Sequence, residues 1–258
     1  KEKDIMTVSI IKGLIMDTVR YANSGHTGGP MSSSDFAYIL YKEFLNFDPN
    51  NPNWFNRDRF ILSAGHESAL QYVLLTMIGW LELDDLKKFR QLHSKTPGHP
   101  EIEIDGVECT TGPLGQGFGM SIGMALAESF LHNTLKDIDK EASGLVDHFT
   151  YVLASDGDMQ EPITLGSASL SGHLGLSKLI VFYDSNEVQI SGGVSRSDST
   201  DYGAVFTGFG WHVQKINGHD HDSIRIAITK AQKSNQPSLI IGETIMAKFS
   251  DHDEFTVS

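Results

Sequence analysis

The chain of 258 residues carries 33 acidic and 20 basic side chains, a formal net charge of −13 with its 11 histidines neutral. Such a length suits one large α/β domain or two small ones and buries a sizeable core without cross-links, and the acidic balance argues against a partner as negative as nucleic acid, which needs a basic face. The single Cys109 excludes a disulfide framework within the chain and fits a reducing cytosol, no apolar run approaches the roughly 20 residues of a membrane span, and the opening KEKDIMTVSI lacks a signal-peptide pattern.

Ile5, Val8, Ile11, Ile15 and Val19 recur at helical spacing and predict an amphipathic helix over 5–22. Ser34 and Asp35 open a second helix to about Leu45, where DPNNP ends it. A strand is expected at Phe60–Ser63, a helix from there to about Trp80, and a short helix capped by Asp84 to about Leu92. A loop rich in Gly, Pro and Thr fills His93–Gly115. Helical periodicity returns over Gln116–Leu135, where Gly119, Gly123 and Ala127 form a small-residue ridge suited to close packing. The second half alternates: strands at 149–155, 178–184, 211–216 and 238–245, helices at 162–173, 200–208 and 221–234. This alternation implies a doubly wound α/β fold, a mostly parallel sheet with helices on both faces. The apolar runs VLA and LIVFY fit strands buried on both sides. Ligands of such folds bind beyond the carboxyl ends of the strands.

The 25 glycines are bunched, and the bunches carry the chemistry. Ser155-Asp156-Gly157-Asp158 directly follows one apolar strand and Asn186 follows the next. A carboxylate and an amide oxygen at neighbouring strand ends suit one hard cation, as Mg²⁺ takes oxygen ligands and leaves positions for phosphate oxygens. Gly157 allows close approach of backbone to a diphosphate, and a helix beginning near 162 offers free N–H groups to an anion. Two other readings stand beside this one: ordinary strand-end turns, and the Asp156-x-Asp158 metal motif of a nucleotide-sugar transferase.

His26, His66 and His99 each follow a glycine in a predicted loop, and none lies on an apolar helical face. Such side chains hydrogen-bond phosphate and hydroxyl oxygens and move protons near pH 7. The run Glu108–Gly117 is glycine-rich and leads into a helix, yet it matches neither GxxxxGK[ST] nor GxGxxG, and its lack of lysine argues against a nucleoside-triphosphate site. Leu114, between glycines, suits contact with a flat ring. Gly218-His219-Asp220-His221-Asp222 looks metal-binding, but Asp220 or Asp222 is expected to cap the next helix. Phe206, Phe209 and Trp211 are expected in the core.

Taken together, these stretches resemble the thiamine-diphosphate-binding N-terminal portion of transketolases. The resemblance rests on ANSGHTGGPM, NRDRFILSAGH, FRQLHSKTPGHPE, GVECTTGPLGQGFGMSIGMA, VDHFTYVLASDGDMQE, LSKLIVFYDSNEVQISG and GFGWHVQKINGHD, in family order over about 22–220. It implies that Asp156, Asn186 and the carbonyl of Val188 ligate Mg²⁺ or Ca²⁺, and that Gly157 and His66 contact the diphosphate of thiamine diphosphate. Gly112 and Leu114 would lie along the cofactor rings. His26 and His99 match histidines that bind donor-substrate hydroxyls, Arg90 an arginine that binds acceptor phosphate, and Glu161 a carboxylate in the proton network between the two active sites of a dimer.

The implied reaction moves a two-carbon ketol unit from a ketose phosphate to an aldose phosphate in the cytoplasm. The resemblance further implies one diphosphate-binding domain over 1–258, with the pyrimidine-binding and C-terminal domains supplied by a C-terminal subunit or by the remainder of the same polypeptide, in a homodimer or heterotetramer. A non-catalytic cofactor-binding subunit is the alternative within the family. Several residues depart from its pattern: Ser155, Thr27, Glu67 and Pro162, the last suited to a first helical turn. Glu67 is expected either to tune His66 or to face solvent. After Lys248 the family's next diphosphate-binding histidine is not matched, and His252 is not assigned that role.

Overall fold

The computed structural model describes residues 1–190 and 192–248; the departure after Lys248, His252 included, lies outside them. In chain order the elements are α1 (Glu2–Ala22), α2 (Gly28–Ser32), α3 (Ser34–Ile39, running on as a π turn over Leu40–Phe44), β1 (Arg59–Leu62), α4 (Ser68–Met77), α5 (Leu83–Leu86), α6 (Gln116–Ile138), β2 (Thr150–Ser155), α7 (Asp156–Gln160), α8 (Pro162–Leu174), β3 (Leu179–Ser185), β4 (Val188–Gln189), β5 (Gly192–Gly193), α9 (Tyr202–Gly208), β6 (His212–Asn217), α10 (His221–Gln232) and β7 (Ser238–Glu243). Five strands form one parallel sheet in the order β1-β2-β3-β7-β6, and β4 and β5 make a small antiparallel pair.

The central strands β2 and β3 are buried and mostly apolar because both faces are covered, whereas the edge strand β6 carries Gln214, Lys215 and Asn217. Phe60, Leu62, Tyr151, Leu153, Ile180, Phe182 and Ile240 face one core with α1, α3, α4 and α10. Ile61, Val152, Ala154, Val181, Tyr183, Leu239 and Ile241 face the other with α6, α8 and α9. The period of two along each strand thus sorts residues between two helical layers. The doubly wound expectation holds, and Phe206 and Trp211 are buried in the second core with Phe209 packed against it.

Three local expectations need correction. The short helix after Trp80 is capped by Glu82, whose side chain and that of Asp85 form a reciprocal capping box, so Asp84 lies inside the helix and the helix stops at Leu86. Two helices were not legible. No helix is expected over Gly28–Ser32, yet one forms, with Pro30 within its first turn, where its missing N–H costs little. Asp156–Gln160 reads as a strand-end turn, and Ser155 with Asp158 caps it as a helix. The ridge on α6 packs closely within this chain only at Gly119, where a methyl would lie 3.2 Å from Ile163 Cγ1, whereas one on Gly123 would meet nothing within 4 Å. A closer approach is at Gly117, where a methyl would lie 2.6 Å from Ser63 Cα.

Candidate functional site

The register of the sheet sets the site. Ser155 pairs with Asp184 across β2 and β3, so the residues just beyond them, Asp156 and Asn186, emerge side by side at the carboxyl end. There a cavity of about 520 Å³ is lined by His26, His66, His99, Gly112, Leu114, Asp156, Gly157, Glu161, Asn186 and Val188, all of the sequence-predicted site residues except Arg90. They arrive from separate elements: His26 from the α1–α2 connection, His66 from the turn after β1, His99, Gly112 and Leu114 from the long loop before α6, and the rest from the ends of β2 and β3.

Asp156 is 3 % exposed. Its Oδ1 accepts the Tyr183 hydroxyl at 2.5 Å and its Oδ2 the Glu187 N–H at 3.0 Å. Burial, with the charge of Asp184 adding to it, pushes this carboxyl from its ordinary 3.8 to about 7 against those bonds. It is a buried acid short of positive charge, as expected of a cation ligand. Asn186 donates through Nδ2 to Asp184 at 2.6 Å and accepts the Val188 N–H through Oδ1 at 3.0 Å. Those partners fix the orientation of the amide and leave Oδ1 a second lone pair. Asp184 is itself held by Ser32 and Thr244, each at 2.6 Å. The donor set is all oxygen, which suits Mg²⁺ or Ca²⁺.

Asp158 plays a different part. Its Oδ1 accepts from Ser63 Oγ at 2.6 Å and Gly115 N at 2.7 Å, and its Oδ2 from the Ser155 N–H and hydroxyl, both at 2.9 Å. With four donors on two oxygens and no exposure, it has no lone pair for a metal, and the Asp-x-Asp transferase reading fails on that ground. The loop before α6 is drawn tight against β1: a methyl on Gly65 would sit 2.7 Å from the backbone nitrogen of Gly112, and one on Gly157 2.6 Å from Leu114 Cδ1. At Gly65 only glycine permits the approach, because the neighbour is backbone, whereas at Gly157 the Leu114 side-chain tip would have to move aside.

The three histidines share one wall, with the His26 and His66 rings 5.3 Å apart edge to face. Burial lowers the pKa of all three. For His66 burial, then the neighbouring His26 and His99, carries it to about 4; for His26 and His99 the Arg90 charge adds to burial. Arg90 lies outside the lining. Its Nη1 donates to Ser24 Oγ at 3.0 Å, and its buried Nε has no hydrogen-bond partner among the described residues. Glu161 stands at the N-cap position of α8 without a side-chain bond to the helix, and Pro162 is the first helical residue, so the departure at 162 is accommodated as expected.

Glu67 does not face solvent. It is wholly buried, neither carboxyl oxygen has a hydrogen-bond partner among the described residues, and burial followed by the charge of Asp184 holds its pKa well above 4.5. The Gly-His-Asp-His-Asp run is consumed by structure. Asp220 caps α10 by accepting the Ser223 N–H, while His219 Nδ1 donates to Asp35 at 3.0 Å and His221 Nε2 at 2.7 Å. Because Ile245 N–H donates to His219 Nε2, the ring is held between α3 and the loop after β7. Sequence reasoning missed Asp184 and Met246. Asp184 stands two residues before Asn186 and reads only as a turn residue, and Met246, which lines the cavity, carries no chemical signal.

Residues 3–256 match the family model for the transketolase thiamine diphosphate binding domain. The chain belongs to that family. It is 51% identical over 247 residues to a transketolase of Staphylococcus epidermidis, covering 95% of this chain and 37% of that protein. A crystal structure of transketolase from Campylobacter jejuni superposes with a TM-score of 0.89 at 44% identity, over 93% of this chain and 37% of that one. A Pichia stipitis transketolase in complex with sedoheptulose 7-phosphate gives 0.92 at 38% identity, over 98% and 38%. The chain therefore spans about 37% of the length of the transketolases it matches. Among its described residues no helix is long and apolar enough to cross a membrane.

Proposed function

We propose that this chain supplies the diphosphate- and metal-binding side of a transketolase active site, moving a two-carbon ketol unit from a ketose phosphate to an aldose phosphate in the cytoplasm. One observation carries the reading: Asp156, Asn186 and Val188 meet the three histidines around a single cavity at the strand ends. Asp156, Asn186 Oδ1 and the Val188 carbonyl would hold Mg²⁺ or Ca²⁺, and the buried Asp156 carboxyl gains the positive charge it lacks. The Gly157 N–H and His66 would bind the diphosphate, with Gly112 and Leu114 against the rings. Thiamine diphosphate supplies the nucleophilic carbon and the electron sink for breaking and making the carbon–carbon bond.

The remaining work belongs to the chain. Neutral His26 and His99 each offer one N–H donor and one acceptor nitrogen, the pair needed to orient a donor hydroxyl and to take or return its proton. Arg90, whose charge acts on His26 and His99, would bind the acceptor phosphate. Glu161 would join a proton network between two active sites of a dimer. Activity would also require a pyrimidine-binding domain, from a C-terminal subunit or from the same polypeptide, in a homodimer or heterotetramer. The test is ketol transfer between a ketose phosphate and an aldose phosphate by the purified chain with thiamine diphosphate and Mg²⁺. The 258-residue chain alone is expected to be inactive and to turn over once a polypeptide carrying the pyrimidine-binding domain is added. Turnover by the uncontaminated chain alone would contradict the proposed division of labour.

A further inference from the structure

We propose that Glu128, His132 and Asp147 form a second cation site, for a divalent transition metal of the Zn²⁺ class, at the amino end of the sheet. Glu128 and His132 stand four residues apart on α6, hence on one helical face, and Asp147 comes from the connection to β2. One ligand atom from each lies within 4.8 Å of the others. A depression of about 240 Å³ beside them is lined by the same three residues and Lys178.

The chemistry selects the metal. One imidazole and two carboxylates suit Zn²⁺, Co²⁺ or Ni²⁺ better than Mg²⁺ or Ca²⁺, which prefer oxygen alone. Three protein ligands leave the fourth position to water. His132 Nδ1 donates to the Val146 carbonyl at 2.8 Å, which leaves Nε2 as the nitrogen available to a metal. A hydrogen bond of this kind from the far nitrogen orients metal-binding histidines and raises their basicity. The local field already favours a cation, because the Lys178 ammonium bonds Glu128 Oε1 at 2.7 Å and also Asp147 Oδ1. Each carboxylate leaves its second oxygen for another cation. Lys178 is therefore the resident competitor, and metal would enter as its ammonium swings outward. Asp147 and Lys178 precede β2 and β3, whereas Asp156 and Asn186 follow them, so the two cation sites lie at opposite ends of the strands.

The experiment is a Zn²⁺ titration of the metal-free 258-residue chain with Mg²⁺ in large excess, read by calorimetry. One Zn²⁺ per chain is expected to bind. His132→Gln and Asp147→Asn should each weaken it at least tenfold, the latter at a half-exposed position with little risk to folding. Lys178→Met should tighten it severalfold by removing the competitor, and Asp156→Ala should leave it unchanged. Absence of Zn²⁺ binding, wild-type affinity in either ligand variant, or loss in Asp156→Ala would overturn the proposal.

Discussion

Asp158 Oδ1 accepts the Gly115 N–H at 2.7 Å, tying the end of β2 to the loop that carries Gly112 and Leu114. The same carboxylate holds Ser63 after β1 and Ser155 at the start of α7, so one buried acid sets the spacing of three walls of the cavity. Asp158→Ala would leave the Ser63 hydroxyl and the Gly115 and Ser155 N–H groups without their acceptor. At about 1–3 kcal/mol per buried unsatisfied group, a loss of about 3 kcal/mol or more is expected in urea unfolding. Thiamine diphosphate affinity should fall with it, and a variant of wild-type stability would refute the role.

Glycine spacing separates contact from propensity. Gly65→Ala drives a methyl into the backbone of Gly112, which cannot swing aside as a side-chain tip can, and about 1–3 kcal/mol of destabilisation is expected. Gly123→Ala, in the middle of α6 with open space around it, should instead stabilise by up to about 1 kcal/mol through helix propensity. Equal effects at the two positions would mean that the close approach at Gly65 is not as described.

How much of this was legible follows from the same residues. The central strands could be read because two-sided burial makes them apolar, and the residues lining the cavity because Asp156 and Asn186 directly follow apolar strands while His26, His66 and His99 each follow a glycine in a loop. The α6 ridge was right at Gly119, which packs against Ile163, and not at Gly123, since residue size alone does not say what a helix face meets. Of the two expectations for Glu67, the solvent-facing one fails, because the turn after β1 folds the side chain inward against Gly29. Asp158 was read as a possible metal ligand because its hydrogen-bond partners, Ser63 and Gly115, are remote in sequence.

Glu67 makes a pH-dependent expectation. An acid whose folded pKa lies above its unfolded value subtracts stability once pH rises past the unfolded value near 4.5, up to the folded pKa. Glu67→Gln removes that titration. The variant should melt higher than wild type at pH 7, by roughly 2–4 °C for each kcal/mol relieved, and the difference should shrink towards pH 4. A difference independent of pH would show that Glu67 is not held as a neutral buried acid.

His66 works in the opposite window. Its folded pKa of about 4 lies below the ordinary 6.5, so the unfolded chain binds the proton more readily and stability is lost as pH falls from 6.5 through 4. The full shift corresponds to roughly 3 kcal/mol. His66→Gln should flatten the acid limb of a stability–pH curve by about that amount, and an unchanged limb would contradict the burial of a neutral ring.

The metal assignment is tested by calorimetric titration of the chain with thiamine diphosphate, with Mg²⁺ and with a chelator, in wild type and Asp156→Ala. Binding by the wild type with Mg²⁺, and its loss both with chelator and in Asp156→Ala, is the expected result. Affinity that survives in Asp156→Ala would contradict the placement of the cation between β2 and β3, and with it the cofactor site proposed here.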